Sequence, residues 1–211
     1  MTNAELLTGS GPARRLATRQ KLLAAARGLF VGAGYHATRP QDITRAAGVG
    51  HGTFYLHFAD KQACFLAFIE EATLELNEVV ARHVEETSGI EARIRAILTA
   101  IHVFSNEHPG VLNAAMTDLS VIAANDAPLE RVSDRWAQQW AELLRPSAEC
   151  GDIESDSDLL LIGHAIVGAI NEAANYAFRA AGRDAVRHAA MLDDLARFLT
   201  RGLGKKQTQP S

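Results

Sequence analysis

The sequence predicts an all-α protein, and three observations support this. Apolar residues recur every three or four positions through most of the chain, which is the period of an amphipathic helix. No stretch has sustained alternation of β-branched residues, so strands are not expected. Glycine and proline separate the periodic stretches, as they do where helices end. We therefore expect about nine helices, divided into an N-terminal three-helix head, residues 1–61, and a helical body, residues 62–211.

The first helix is predicted over residues 18–33. Its apolar residues fall at helical spacing, and Gly34 can adopt the left-handed conformation that ends many helices. The preceding residues, 1 to about 15, have no helical period. They are predicted to form a flexible arm.

A helix-turn-helix unit is predicted next. Thr38 and Gln41 stand in the register of a capping box, and Pro40 is tolerated in a first helical turn, so a short helix should begin there. A glycine-rich connection over residues 48–50 separates it from a second short helix over 51–58. Two short helices joined this tightly are typical of a helix-turn-helix.

The remaining helices make up the body. Asp60 is a suitable N-cap for a helix that reaches about Glu86 and is long enough to link two domains. Further helices are predicted over residues 90–105, 110–124, 127–145, 156–181 and 184–202. The residues that separate them are Pro109, Pro128, Pro146 and Gly182.

Charge is distributed unevenly along the chain, whose formal net charge is −4. Residues 1–61 hold eight Lys and Arg against three Asp and Glu, a balance of +5, and the remaining residues hold 13 against 22, a balance of −9. A basic head on an acidic body is the pattern of a polyanion-binding domain joined to a domain with another task. Arg14, Arg15 and Arg19 are expected to extend the basic surface toward a DNA backbone or minor groove.

The segment 51–58 has the composition of a recognition helix. Phe54 and Phe58 are four residues apart and share one helix face, which we expect to point inward. The stretch from Gly50 to Thr53 has little side-chain bulk, so it can lie close to base edges in a major groove. Polar residues placed to reach flanking phosphates are Thr38, Tyr55, His57 and Lys61.

A resemblance to the TetR family of transcriptional regulators is carried by the run GYHATRPQDITRAAGVGHGTFYLHFADK. The matching positions include Gly34-Tyr35, Ala47-Gly48-Val49, Gly52-Thr53, Tyr55, His57-Phe58 and Lys61, within about residues 18–65. The resemblance implies that Thr38, Tyr55, His57 and Lys61 hold phosphates. It also implies that His51, Gly52 and Thr53 lie next to bases.

Some positions depart from the family pattern. Gly50 stands where a serine cap is common, and His51 often corresponds to lysine or proline. Leu56 can offer only apolar contact, for example to a thymine methyl, and Arg39 can add a phosphate contact. The predicted DNA-binding residues are therefore Thr38, Arg39, Gly50, His51, Gly52, Thr53, Tyr55, Leu56, His57 and Lys61.

The stretch Leu159 to Ile170 is apolar on every side of a helix, and its small residues permit close helix packing. A helix that is hydrophobic all round must be buried on all sides. We expect a second copy of the last two helices to cover the outer side in a four-helix dimer interface, as the family resemblance also implies. The alternative is a central helix in a monomer.

Large apolar residues of the body suggest a pocket for a small molecule, with a few polar groups that set its orientation. The predicted lining residues are Phe104, Met116, Trp136, Trp140, Asn171, Asn175 and Tyr176. Ordinary core packing is the competing interpretation for each of them.

Other classes of protein receive no support. The longest apolar stretch has 12 residues, too few for a membrane span, and the N-terminus has no signal-peptide pattern, so we expect a cytoplasmic protein. Cys64 and Cys150, both expected to be buried, lack metal-binding spacing. No metal, cofactor or catalytic site is predicted.

The sequence thus predicts a ligand-responsive transcriptional regulator. It should bind a palindromic operator in double-stranded DNA as a homodimer, most simply as a repressor, and release it when a small, largely apolar effector enters the body. Two alternatives stay open: an all-α enzyme with a DNA-binding head, and an architectural DNA-binding protein without a ligand.

Overall fold

The computed structural model describes residues 11–85, 87–115, 132–151, 153, 157–181 and 185–203. Within these ranges the chain is helical and contains no strand. Seven α-helices lie in the described ranges: α1 (Gly11–Ala37), α2 (Pro40–Ala46), α3 (Lys61–Val84), α4 (Ile90–Glu107), α5 (Val132–Glu149), α6 (Leu159–Ala181) and α7 (Ala185–Leu203). A 3₁₀ helix over His51–Leu56 and a helical turn over residues 111–115 complete the described helices. The all-α prediction with about nine helices is confirmed.

The described residues fall into two compact units. One contains the residues up to Leu74 together with 110–115, and the other contains Glu75–Pro109 and the described residues from Val132 onward. Helix α3 contributes to both units, because they divide it after Leu74. The division of the chain into a head, 1–61, and a body, 62–211, remains a proposal.

An aromatic cluster forms the core of the first unit. Phe30 of α1 packs edge-on against Phe65 of α3, with ring centroids 4.9 Å apart, and Phe68 lies 6.0 Å from Phe30. All three side chains are fully buried. Cys64, which immediately precedes Phe65, is also buried. Burial raises the pKa of its thiol to about 12, so the thiol stays protonated at neutral pH.

Helix α1 differs from its prediction at its beginning and agrees near its end. It begins at Gly11, so the described part of the predicted flexible arm, residues 11–15, is helical. Gly34 interrupts the helix with a φ of 81°, a left-handed conformation that favours glycine, as the sequence predicted. Residues after Gly34 continue for one further short turn to Ala37.

Close packing of α5 on α6 organises the second unit. A Cβ atom added at Gly163 would lie 2.2 Å from the backbone oxygen of Ala137, so only glycine allows this approach. Ala137 and Leu144 of α5, together with Ile166 of α6, are buried. Helix α4 contacts α7 in the same unit, where the guanidinium of Arg95 pairs with the carboxylate of Asp193.

Two further expectations for this unit are wrong. Pro146 does not end α5, which continues to Glu149 although proline has no N–H for an i−4 hydrogen bond. Cys150, expected to be buried, is exposed. Residues 116–131, which include most of the predicted helix 110–124 and the start of the predicted helix 127–145, lie outside the described residues. In the described ranges, no helix is both long and apolar enough to cross a membrane.

Candidate nucleic-acid interface

The 3₁₀ helix His51–Leu56, the recognition segment, exposes polar and apolar side chains on one side. Its other side packs into the protein core. Phe54 is fully buried and Phe58 is 4% exposed, so the inward orientation predicted for both is confirmed. Tyr55 and Leu56 are 55% and 68% exposed. The two buried rings, 5.5 Å apart, hold the segment while His51, Tyr55 and Leu56 are exposed to solvent.

The two glycines of this region leave open surface. Gly50 has an extended backbone and immediately precedes the recognition segment. Gly52 is exposed, and a Cβ atom added there would meet no other atom within 4 Å. Because nothing inside the protein occupies this space, an external partner can approach the backbone of Gly52 closely. Thr53 follows it and is half-buried.

The predicted capping box at Thr38 is wrong. Helix α2 begins at Pro40 with Arg39 as its N-cap residue, and no side chain caps it. Thr38 is 2% exposed, and its hydroxyl donates a hydrogen bond of 2.8 Å to the backbone oxygen of Gly34. The Thr38 hydroxyl is thus committed to the turn between α1 and α2, so we remove it from the proposed phosphate contacts. Arg39 is exposed and stays among them.

Lys61 is engaged within the protein. Its ammonium donates a hydrogen bond of 2.8 Å to the backbone oxygen of Tyr35 and lies 4.1 Å from the centroid of the Tyr35 ring. This contact joins the start of α3 to the turn after Gly34. The prediction that Lys61 holds a phosphate stays a prediction, and the contact with Tyr35 gives Lys61 a structural task that its sequence context did not reveal.

Two arginines of α1 lie against the end of the recognition segment. Arg15 donates a hydrogen bond of 3.2 Å from a terminal guanidinium nitrogen to the backbone oxygen of Leu56. The guanidinium of Arg19 stands over the Phe58 ring, 5.1 Å from its centroid. Burial, followed by the charges of Arg15 and Arg19, lowers the pKa of His57 below its ordinary value. His57 is therefore neutral at pH 7.

Shallow grooves flank the recognition segment on two sides. One contains Gln41 and Arg45 of α2 beside His51, and the other lies between the start of α1 and residues Thr53 to His57. Gln41 and Arg45 were absent from the predicted site. A sequence signal could have identified them. They lie four residues apart on a short helix next to the glycine-rich turn, so they share one helix face.

The predicted ligand-binding residues differ in their surroundings. Phe104 is fully buried, and Trp140 is 7% exposed. The indole Nε1 of Trp136 is buried, and no described residue accepts a hydrogen bond from it. Asn171 is half-buried. Tyr176 is 54% exposed, so it does not line an enclosed pocket of this chain and belongs to the exposed face of α6. Met116 and the side chain of Asn175 lie outside the described residues.

The last two helices carry an exposed apolar face. Ile166 and Val167 of α6 face the core, but Leu160 and Leu161 are 44% and 65% exposed. On α7, Phe198 is 67% exposed. Small exposed residues, including Gly168, continue this face along α6. A single chain therefore does not bury the apolar stretch of α6 on all sides.

Comparison with protein families identifies residues 22–68 with the family of bacterial regulatory proteins described as the tetR family. These residues span most of α1, all of α2, the recognition segment and the first part of α3. Among relatives of known role, the HTH-type transcriptional repressor DhaR of Mycobacterium sp. (strain GP1) is 26% identical over 146 residues. The alignment covers 67% of this chain and 73% of the relative.

Solved structures of low sequence identity share the fold. The fatty acid degradation regulator FadR from Bacillus halodurans superimposes with a TM-score of 0.72 at 20% identity, covering 91% of this chain and 97% of its own. The transcriptional regulator FadR from Bacillus subtilis, determined in complex with stearoyl-CoA, gives a TM-score of 0.70 at 17% identity, with coverages of 87% and 98%. At these identities the similarity establishes the fold alone.

Proposed function

The chain belongs to the TetR family of bacterial transcriptional regulators, and from this premise we propose that it represses transcription as a homodimer bound to a palindromic operator. A small, largely apolar effector that enters the body would release the operator. The observation that carries the proposal is the recognition segment, where buried Phe54 and the buried Phe58 just beyond its end hold an exposed surface built around Gly52. Repression is also the role named for the relative DhaR.

Within the DNA complex, the recognition segment would enter the major groove. The exposed backbone at Gly52 allows close approach, so His51 and Thr53 would meet base edges, and Leu56 would contact a thymine methyl. Tyr55 and His57 would bind flanking phosphates. The further residues that would contact the backbone or support this surface are Arg39, Gly50 and Lys61.

The homodimer would form through α6 and α7. Leu160, Leu161 and Phe198 are large apolar side chains exposed on these helices, and a second copy would remove them from water. Two helices from each protomer then make a four-helix bundle related by a two-fold axis. Two-fold symmetry of the protein requires an operator with the same symmetry, which is the reason to expect a palindrome.

The effector would lie near Trp136, Trp140 and Phe104 in the body. The Nε1 donor of Trp136 is buried without a described acceptor, and such a group costs about 1–3 kcal/mol unless it is paired. An effector with a carbonyl oxygen at the end of an apolar chain would satisfy it while filling apolar space. The stearoyl-CoA bound to the regulator from Bacillus subtilis has this combination, which supports an acyl compound as the first class to test.

Release of DNA would be transmitted through α3, which begins beside the recognition segment and ends among residues of the second unit. An effector can shift the protein only if it binds one conformation more tightly than the other. The favoured conformation would hold the two recognition segments at the wrong separation for successive turns of the major groove. Operator DNA must then weaken effector binding by the same factor with which effector weakens DNA binding.

Titration of the full-length protein with stearoyl-CoA, stearate and free CoA tests the effector part of this proposal. The chain has two tryptophans, so Trp140→Phe leaves Trp136 as the single indole reporter, and Trp136→Phe is its matched control. We expect an acyl ligand to change the fluorescence of Trp136 and to release operator DNA over the same concentration range. Trp136→Phe should bind operator normally and require about 5- to 100-fold more ligand, because it cannot donate the hydrogen bond.

Two results would contradict the effector proposal. The first is a ligand that releases operator while leaving both fluorescence and the Trp136→Phe titration unchanged, which would put the pocket elsewhere. The second is release by free CoA as effectively as by stearoyl-CoA, which would assign recognition to the polar group instead of the acyl chain.

A further inference from the structure

The N-terminal part of α1 places two cations on one helix face. Arg15 and Arg19 are four residues apart, so their side chains leave the helix one turn from each other. Both reach the end of the recognition segment. Arg15 binds the backbone oxygen of Leu56, and Arg19 covers the ring of Phe58, the second residue after Leu56.

The recognition segment needs an external support because it is short. It comprises six residues in a 3₁₀ helix, a conformation with poorer hydrogen-bond geometry than an α-helix. Its C-terminal turn has backbone hydrogen bonds from His57 and Phe58 to the oxygen of Phe54, each 3.0 Å long. The backbone oxygens in the last turn of a helix have no hydrogen-bond donor within that helix. For the oxygen of Leu56, the guanidinium of Arg15 is that donor.

The position of Leu56 matters for the surface offered to DNA. Its side chain and that of Tyr55 are the exposed large hydrophobic groups of the segment. A guanidinium bound to the Leu56 oxygen fixes the backbone from which both side chains project. The aromatic anchors Phe54 and Phe58 fix the segment toward the core, whereas Arg15 fixes it toward α1.

We propose that Arg15 is a positioning residue for DNA recognition: its bond to the Leu56 oxygen fixes the conformation in which Tyr55 and Leu56 meet the operator. This inference rests on the proposed function, since it concerns how the DNA-reading surface is held. This role differs from that of the other cations of the basic surface. A cation that only contacts phosphate would strengthen binding to any DNA sequence alike.

The two tasks have different signatures. Loss of a phosphate contact weakens binding to all sequences alike and lowers the slope of log affinity against log salt by about one per contact. Loss of a positioning contact weakens operator binding more than non-specific binding and leaves the slope unchanged. Arg14 is the matched control, because it is an exposed arginine next in sequence on the same helix.

The experiment compares wild type with Arg15→Ala, Arg14→Ala and Arg15→Lys. For Arg15→Ala we expect operator affinity to fall about 5- to 10-fold, with a smaller change on non-specific DNA and an unchanged salt slope. Arg15→Lys keeps a long donor that can reach the Leu56 oxygen, so it should recover most of the operator preference. Arg14→Ala should leave the preference for operator over non-specific DNA as in wild type.

Hydrogen–deuterium exchange in the DNA-free protein provides the second readout. In Arg15→Ala, amides of residues 57 and 58 should exchange several-fold faster, while amides of α2 and the urea midpoint stay unchanged. A general loss of stability would instead raise exchange throughout the head. If the wild-type protein selects no DNA sequence, the proposed function fails. If exchange at residues 57 and 58 is unchanged in Arg15→Ala, the role of Arg15 is overturned independently of that result.

One further outcome overturns the inference. If Arg15→Ala lowers operator and non-specific affinity by the same factor and reduces the salt slope, Arg15 is a phosphate contact. The same conclusion follows if exchange at the end of the recognition segment is equal in Arg15→Ala and Arg14→Ala.

Discussion

The ammonium of Lys61 lies 2.8 Å from the backbone oxygen of Tyr35 and 4.1 Å from the centroid of its ring. One cation therefore holds both the backbone and the aromatic side chain of the short last turn of α1, after Gly34. Tyr35 in turn packs against Phe65 of α3, with ring centroids 5.1 Å apart. Lys61 and Phe65 thus attach the beginning of α3 to the same turn from two positions, one helical turn apart.

Lys61→Ala should destabilise the head. It removes a hydrogen bond and a cation–π contact, which together contribute about 1–2 kcal/mol at a half-buried position. The measurement is the urea midpoint of unfolding, followed by a probe of the head. Lys21→Ala, which removes an exposed lysine of α1, should leave the midpoint within the error of the measurement.

The same variant tests whether Lys61 also holds a phosphate. A phosphate contact in each protomer predicts that the salt slope of DNA binding falls by about two for the dimer. An unchanged slope with a lowered urea midpoint would leave Lys61 with its structural task alone.

Gly52→Ala should separate the requirements of the fold from those of DNA binding. The added methyl meets no protein atom within 4 Å, and the backbone of Gly52 has no positive φ, so stability should change by less than about 1 kcal/mol. DNA approaching this surface would meet the methyl, so operator affinity should fall by about tenfold or more. Gly48→Ala, at a φ of 66°, should show the reverse pattern, with lost stability. Unchanged operator affinity in Gly52→Ala would mean that DNA does not approach here.

Much of the fold could be predicted from local patterns. The inward faces of Phe54 and Phe58, the interruption at Gly34 and the N-cap at Asp60 depend on residues close in sequence. The carboxylate of Asp60 accepts the N–H of Ala63 at 2.7 Å, as its position before the helix predicted. Helical periodicity also placed α6 and α7 within three residues of their observed beginnings.

Predictions from the sequence were wrong where a contact between residues distant in the chain accompanies the conformation. Residues 11–17 lack an apolar period, yet Arg15 finds its partner at Leu56, 41 residues away, and the segment is helical. The register of Thr38 and Gln41 predicts a capping role for Thr38, whereas its buried hydroxyl donates to the backbone oxygen of Gly34. The exposed outer side of α6 could be inferred as apolar, but a single chain carries no information about what covers it.

The pH dependence of stability should include a contribution from His57. Because its pKa is lowered in the folded protein, the unfolded chain binds this proton more readily, with a pKa of about 6.5. The contribution of His57 to stability is therefore fully present well above pH 6.5 and is lost as pH falls below 6.5 through the lower pKa of the folded state. His57→Gln should remove this part of the decrease, measured from urea midpoints between pH 8 and 5.

DNA binding should depend on pH in the opposite direction at this residue. A neighbouring phosphate stabilises imidazolium, so binding takes up a proton and operator affinity rises as pH falls, by at most about tenfold per pH unit for each His57. His57→Gln should flatten this dependence. Equal pH profiles for wild type and His57→Gln would contradict the placement of His57 beside a phosphate.

Leu161→Glu should break the proposed dimer. The side chain is 65% exposed in a single chain, so the variant should fold, whereas an unpaired charge buried between protomers should raise the dimer Kd by about 100-fold or more. Sedimentation velocity measures the association. Leu74→Glu is the control, because Leu74 is 61% exposed on α3, outside the α6–α7 face. A dimer that survives Leu161→Glu but not Leu74→Glu would place the interface on α3.

Selection of bound sequences from random double-stranded DNA by the purified full-length protein tests the central claim, that a symmetric pair of recognition segments reads an operator. We predict enrichment of an inverted repeat whose half-site centres are separated by roughly 34–36 Å, one helical turn, or by a multiple of it. The Leu161→Glu variant should lose this preference for paired half-sites. Enrichment of a single asymmetric site, or of no sequence at all after repeated rounds, would contradict the claim.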